Sequence, residues 1–213
     1  MKRVLVILSM LAIVACAFTV SCKKEAKDSI KLDKKSVTVS NKGESVTLKV
    51  TASGEFTSQP DAEWLSVNDA TITAAPNYFE ASRTANVTFY CGAENATVVV
   101  NQGGMGPKDV VGSAIDALVA ADWNTFWELV DMPDAKKEQV MATYNEKTSS
   151  ESGETESDYK GYEILSESID NTTGEAVVTS RYLYKEHDPS EPNEWKLLKR
   201  DGRWRIKSET LGK

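Results

Sequence analysis

Hydrophobic and polar positions change period along the chain. Val4 to Val20 is apolar apart from Ser9 and Thr19, and it follows Lys2 and Arg3. Between Ser36 and Val100, apolar residues alternate with polar ones in short runs. These are Ser36-Val37-Thr38-Val39, Glu44 to Val50, Trp64-Leu65-Ser66-Val67, Thr71-Ile72-Thr73, Ala85 to Phe89 and Ala96 to Val100. A period of two marks strands with one buried face. Asn41-Lys42-Gly43 carries turn chemistry between the first two runs, because Asn and Gly tolerate positive φ. No helical period interrupts the series, so Ile30 to Gly104 reads as a small antiparallel β-sandwich.

After Gly103-Gly104-Met105-Gly106-Pro107, which reads as a hinge, the period lengthens. Val110, Val111, Ala114, Ile115, Leu118 and Val119 recur every three or four residues, which predicts an amphipathic helix over Lys108 to Ala121. Pro107 suits its first position, and Asp122 is placed to cap a second helix through Trp123, Phe126, Trp127, Leu129 and Val130. A third helix is expected from Pro133 through Tyr144, and the acidic, aperiodic stretch Ser149 to Asp158 reads as a loop. Strand patterns then occupy Tyr162 to Ile169, Glu175 to Lys185, Glu194 to Lys199 and Trp204 to Lys207. Arg200-Asp201-Gly202-Arg203 joins the last two as a hairpin. Helices first and an antiparallel sheet afterwards make residues 105–213 an α+β domain.

The apolar start is too short for a comfortable span, and its charged beginning and small residue before cysteine suit a secretory signal. Ile13-Val14-Ala15-Cys16 matches the general bacterial lipobox better than Thr19-Val20-Ser21-Cys22. Cleavage at Cys16, however, would leave Ala17 to Val20 as an apolar start to the mature chain. The apolar run stops at Cys22, where Lys23-Lys24-Glu25 begins. The Ser-Cys-Lys-Lys ending resembles lipoproteins of the Bacteroidota. Residues 1–21 are therefore expected to be a lipoprotein signal peptide, Cys22 the lipid-attachment residue and residues 22–29 a lipidated tether. Two or more acyl chains give stable anchoring. The expected location is the outer membrane, with the periplasmic side favoured because no continuous acidic run follows Cys22.

Losing Lys2 and Arg3 takes the formal charge from −7 to −9. That acidity excludes nucleic acid as a partner, since phosphate binding needs a basic face. Cys91 is left without a partner and reads as a buried small hydrophobe in a strand.

Ser-Val-Thr-Val, Glu63-Trp64-Leu65-Ser66-Val67, Asn77, Arg83 to Phe89 and Val98-Val99-Val100-Asn101-Gln102-Gly103-Gly104 occur in an order that resembles the BACON domain. The resemblance implies an immunoglobulin-like sandwich that serves as a spacer or contacts carbohydrate. Trp64 could stack on a sugar face, but flanked by Leu65 and Val67 at the point where a strand begins it reads as core. Pro107 to Trp123 and the terminal Trp195 to Ile206, with its Asp-Gly-Arg-Trp hairpin, resemble the cone-shaped, cystatin-like fold of nuclear transport factor two. In particular they resemble a family of small bacterial lipoproteins with that fold. The expected fold class is thus an immunoglobulin-like sandwich followed by an α+β cone with a curved, antiparallel, four-stranded sheet.

No constellation for catalysis, metal or cofactor stands out. His187, the sole histidine, sits in a Pro-rich loop, where a general base is poorly held. The carboxylates follow no ligand spacing. The second domain is rich in aromatic residues, and Tyr182 and Tyr184 share one strand face, so these two are the candidate ligand-binding residues. The expected function is a non-catalytic cell-envelope lipoprotein that binds a glycan, a small amphiphile or an envelope partner protein. The alternative is an enzyme with a carboxylate-based site in the cone pocket, which a carboxyl group with a raised pKa would favour.

Overall fold

The structure, a computed structural model, describes residues 27–133, 136–142 and 159–211. Cys16, Cys22 and the acidic loop lie outside the described residues, as do the signal segment and most of the expected tether.

The alternating segments form nine strands: β1 (Ile30–Leu32), β2 (Ser36–Val39), β3 (Glu44–Thr47), β4 (Val50–Ala52), β5 (Thr57–Pro60), β6 (Leu65–Asn68), β7 (Thr71–Ala74), β8 (Arg83–Cys91) and β9 (Glu94–Gln102). The four-stranded sheet β2-β9-β8-β5 and the three-stranded sheet β3-β7-β6 share a core, and β1 pairs with β4; β2 runs parallel to β9, so the sandwich is not wholly antiparallel as expected. Val37, Val39, Leu65, Ile72, Val87, Phe89, Val98 and Val100 fill it. The single strand expected over Glu44 to Val50 breaks at Leu48. Leu48 is buried and its N–H turns to the Ala70 carbonyl at 2.9 Å. β1 and β5 escaped the pattern because Ile30–Leu32 and Thr57-Ser58-Gln59-Pro60 are too short or too polar to show a period. Cys91 is buried and free, as its strand context implied. The fold grips the chain just before β1, where Asp28 accepts the Ala93 N–H at 3.2 Å.

The second half holds α1 (Pro107–Val119), α2 (Trp123–Leu129), a helical segment at 136–142, and the strands β10 (Val130–Asp131), β11 (Tyr159–Asp170), β12 (Glu175–Tyr184), β13 (Asn193–Arg200) and β14 (Arg203–Lys207). Asp109 accepts the Gly106 N–H at 3.0 Å at the start of α1, and Asp122 accepts the Thr125 N–H at 3.2 Å to start α2. Carboxylates at these positions satisfy donors that the helix leaves unpaired.

The sheet has five strands in the order β10-β14-β13-β12-β11, not the expected four, and its added strand is parallel to its neighbour. β10 is only two residues long, and Val130 continues the apolar pattern of α2. Its backbone is nonetheless extended and its side chain is buried against β14. Two residues carry no periodicity, so the pattern could not separate this strand from the helix before it. Trp204, Trp195, Phe126, Leu129, Ile115, Leu197 and Ile206 pack together between α1, α2 and the sheet.

Gly103 to Pro107 does not behave as the free hinge the composition implied. Met105 is 1% exposed and belongs to the core of the second half, and its N–H donates to the Phe79 carbonyl at 2.8 Å. A Cβ on Gly104 would overlap the Glu80 carbonyl. Glycine is required there for close approach of two backbones, which fixes the junction and does not loosen it.

Candidate functional site

The segment between β7 and β8, Ala75 to Ser82, leaves the sandwich and lies against the second domain. Its shape is set by polar side chains at the sandwich edge. Buried Asn77 donates through Nδ2 to the Ala81 and Gly103 carbonyls, each at 2.9 Å, and accepts the Phe79 N–H at 3.3 Å. Arg83 donates to the Ala75 and Pro76 carbonyls at 2.7 and 3.0 Å and to Gln102 Oε1 at 2.7 Å. Gln102, 1% exposed, completes the set by donating to the Ser40 and Ala75 carbonyls at 2.7 and 3.0 Å. Buried amides of this kind are tolerable only when their hydrogen bonds are made. Here they hold a loop in one conformation.

The tip of that loop is joined to the second domain. The Glu80 N–H donates to the Gly202 carbonyl at 2.9 Å, and Trp204 Nε1 donates to Glu80 Oε1 at 2.9 Å. Lys199 forms an ion pair with the other oxygen of Glu80. Hydrogen bonds from Lys199 and then from Trp204 hold the Glu80 carboxyl below its usual range. The Arg203 guanidinium lies 5.1 Å from the Tyr78 ring centre and 5.6 Å from that of Phe79.

On the other side of Tyr78 in the sequence of contacts, the two domains leave a cleft of about 250 Å³. The sandwich contributes Lys42, Pro76 and Tyr78, the junction contributes Met105, and the second domain contributes Ser113, Asp116, Ala117, Ala120, Asp122 and Thr125. Met105, Ser113 and Ala117 are buried, whereas Lys42, Pro76, Asp116, Ala120 and Asp122 are exposed. Period explains the helix side: Ser113, Asp116, Ala117 and Ala120 follow at steps of three and four, on one stripe of α1. Lys42 is presented by the β2–β3 turn, which is tied to the junction through Asn41 Nδ2 and the Gly104 carbonyl at 3.0 Å.

Lys42 Nζ meets Asp116 Oδ2 at 2.5 Å across the cleft. Burial pulls the Lys42 ammonium down, but the hydrogen bond to Asp116 and the neighbouring Tyr162, Asp116 and Asp109 outweigh it and leave it raised. Asp122 is occupied by Thr125, whose Oγ1 donates to it at 2.6 Å. Burial raises the Tyr78 hydroxyl, although its hydrogen bond with Thr125 opposes the shift. Ser113 differs from all of these. It is 6% exposed, and its Oγ, closed to solvent, has no hydrogen-bond partner among the described residues, a state it shares with Arg203 Nε.

Tyr182 and Tyr184 do not line this cleft. Tyr182 is half-buried and meets Tyr159 edge-on at 6.2 Å, and Tyr184 pairs with Tyr159 across β11 and β12. Trp64 packs on the sandwich core, and the Arg83 guanidinium sits 4.3 Å from its ring centre. His187 is exposed in the β12–β13 connection. Among the described residues no three metal-ligating side chains cluster, and no helix is long and apolar enough to cross a membrane. Also among the described residues, no Asp or Glu is buried, and each carboxyl with a resolved shift, on Asp61, Glu80, Asp122 and Asp170, is lowered.

The pattern of the sequence missed the residues that meet between domains. Glu80 and Trp204 are 124 positions apart, and Lys42 and Asp116 are 74 apart, so no local period links them. The available signal was the run of polar landmarks, Asn77, Arg83 and Gln102, at the end of an otherwise apolar sandwich.

Residues 54–103 match the sequence model of the BACON family, described as "Putative binding domain, N-terminal". The match takes in Trp64, Asn77, Arg83 and Gln102. Two solved structures resemble parts of the chain. One is a Bacteroides ovatus GH5 xyloglucanase in complex with a XXXG heptasaccharide, with 20% identity over 36% of this chain and 19% of that one, at a TM-score of 0.32. The other is the surface layer protein SbsC, domains 4–9, with 9% identity over 77% of this chain and 21% of that one, at a TM-score of 0.28. The chain thus spans about a fifth of the length of these structures. No curated protein matches it.

Proposed function

We propose that this chain is a lipid-anchored, non-catalytic binding protein of the cell envelope. In this reading the BACON-type sandwich is a rigid mount for the second domain, and the cleft between them takes the ligand. The observation that carries it is the lining of that cleft from both domains, with the Lys42–Asp116 pair spanning it. Binding sites are concave and largely apolar, with a few placed polar groups. The occupied edge at Glu80 and the covered ring of Trp64 support a mounting role for the sandwich over a direct sugar platform.

The enzymatic alternative has less support. A general acid in a cone pocket needs a carboxyl whose pKa is raised by burial. The carboxyl groups described here are exposed or partly exposed, and the resolved shifts run downward.

Two measurements test the proposal. Metabolic labelling with a fatty-acid precursor should mark the wild-type chain and fail to mark Cys22→Ser. Label lost instead in Cys16→Ser, and retained in Cys22→Ser, would move the anchor. The full chain, screened against a glycan array and a panel of small envelope metabolites, should retain at least one compound. A blank result on both would contradict a binding role.

A further inference from the structure

Resting on the lipid-anchor reading above, we infer that the sandwich lies against anionic lipid headgroups along one lysine-bearing edge, formed by β1, its connection to β2 and the start of β4. Charge is unevenly placed on this domain. The outward strand positions of both its sheets hold Ser, Thr, Asn, Gln, Val and Tyr, and no charged residue. Lys42 and Arg83 are engaged at the end that meets the second domain. The other cations of the sandwich, Lys27, Lys31, Lys34, Lys35 and Lys49, all fall on that single edge, and all are exposed.

Register brings them together. Lys31 stands opposite Thr51, and Lys49, two residues before Thr51, lies on the same side. The Lys49 backbone is fixed beside Asp33, which donates its N–H to the Lys49 carbonyl at 3.2 Å and accepts the Lys49 N–H on its carboxylate at 3.0 Å. Lys34 and Lys35 follow, and the Lys35 carbonyl takes the Val99 N–H at 3.0 Å. The edge thus runs beside β9 from Ala93, held by Asp28, to Val99, a length of about 20 Å. Asp28 and Asp33 are the carboxylates on this run, and both are turned to backbone donors. None of the five lysines has an ion pair among the described residues, whereas Lys199, Lys207, Arg181, Arg200 and Arg203 of the second domain all do.

Position selects the partner. Cys22 precedes Lys27 by five residues, a reach of at most about 18 Å, so with Cys22 acylated the edge that begins there stays beside the bilayer. At physiological ionic strength the attraction between lysines and anionic headgroups extends over about 8 Å. Contact along the whole run reclines the sandwich on the membrane. Contact at the Ala93 end alone would stand it upright.

Lysine footprinting tests this on the full chain as the producing cell processes it. The protein is placed on vesicles of phosphatidylethanolamine with phosphatidylglycerol, or with phosphatidylcholine as the neutral control, and acetylated with a water-soluble reagent before mass spectrometry. On anionic vesicles Lys31, Lys34, Lys35 and Lys49 should label about threefold more slowly than on neutral ones, while exposed Lys108 and Lys160 should label equally on both. High salt should abolish the difference. Lys31→Glu with Lys35→Glu, shown folded by circular dichroism, should return Lys34 and Lys49 to their neutral-vesicle rate. Equal labelling of the edge on both vesicles, with the protein floating on each, would overturn the contact and leave the anchor standing. Floatation on anionic vesicles alone, lost in the double variant, would uphold the contact and remove the anchor. Floatation on neither would overturn both.

Discussion

The contact between the two domains has a closed edge and an open edge, built from neighbouring residues with opposite outcomes. At the closed edge Glu80 takes Trp204 and Lys199, and Asn77, Arg83 and Gln102 fix the loop that carries it, while Arg203 Nε beside Tyr78 and Phe79 is buried with no partner among the described residues. At the open edge Lys42 and Asp116 bridge a gap beside Ser113, whose inaccessible hydroxyl has no partner among the described residues. Saturated polar networks specify one arrangement, because breaking any member strands the others. An unsatisfied buried group instead weakens the structure unless something binds it. The denser hydrogen-bond network marks the closed edge as the architectural one, and the proposed binding role concerns the open edge.

The largest effect should come from removing the shared member of core and contact. Trp204 is 2% exposed and also donates to Glu80, so Trp204→Ala should cost about 3–5 kcal/mol in denaturant unfolding. A cost near that of an exposed substitution would break the comparison at once. Asn77→Ala comes next. It strands the Ala81 and Gly103 carbonyls without touching the second domain, for about 1–3 kcal/mol. If the loop is the mount, this change in the sandwich should also lower the hydrogen-exchange protection of the β13 and β14 amides.

Glu80→Gln should be smaller. The Glu80 side chain is 40% exposed and its ion pair is screened, so about 0.5–1 kcal/mol is expected, mostly from the charged hydrogen bonds. Its pH dependence has a definite sign. The folded carboxyl lies below its ordinary 4.5, so its contribution is full above that value and is lost as pH falls through the folded pKa. Wild type should lose this increment in acid, and Glu80→Gln should not, as checked by urea titrations across that range. Ser113→Ala should have the smallest effect and the opposite tendency. Deleting an unpaired buried hydroxyl and gaining a better helix former should leave stability unchanged or raise it by up to about 1 kcal/mol. A clear loss of stability there would show that the open edge is as structural as the closed one.

The same division governs what could be read from the sequence. Asp122 as a cap, Asp201-Gly202 as a hairpin and the alternating strands β8 and β9 are local features, and local chemistry announces them. The polar landmarks Asn77, Arg83 and Gln102 were visible as a family resemblance, but their work was not, since it consists of hydrogen bonds to backbone carbonyls distributed over the loop. The glycines at the junction pointed the wrong way. Glycine permits freedom and also close contact, and composition alone does not tell which is in use. Tyr182 and Tyr184 were selected for being aromatic on one strand face, whereas the cleft is defined by which elements leave space between them. That is a property of tertiary packing.

The central claim is that the sandwich and the second domain are held as one body through Ala75 to Ser82. Backbone ¹⁵N relaxation on the full chain tests it most directly. One common rotational correlation time and diffusion tensor are expected for residues of β8, β9, α1 and β13, with separate values emerging in Gly104→Val, where the side chain forces the junction off the Glu80 carbonyl. Distinct tumbling of the two domains in the wild-type chain would contradict it.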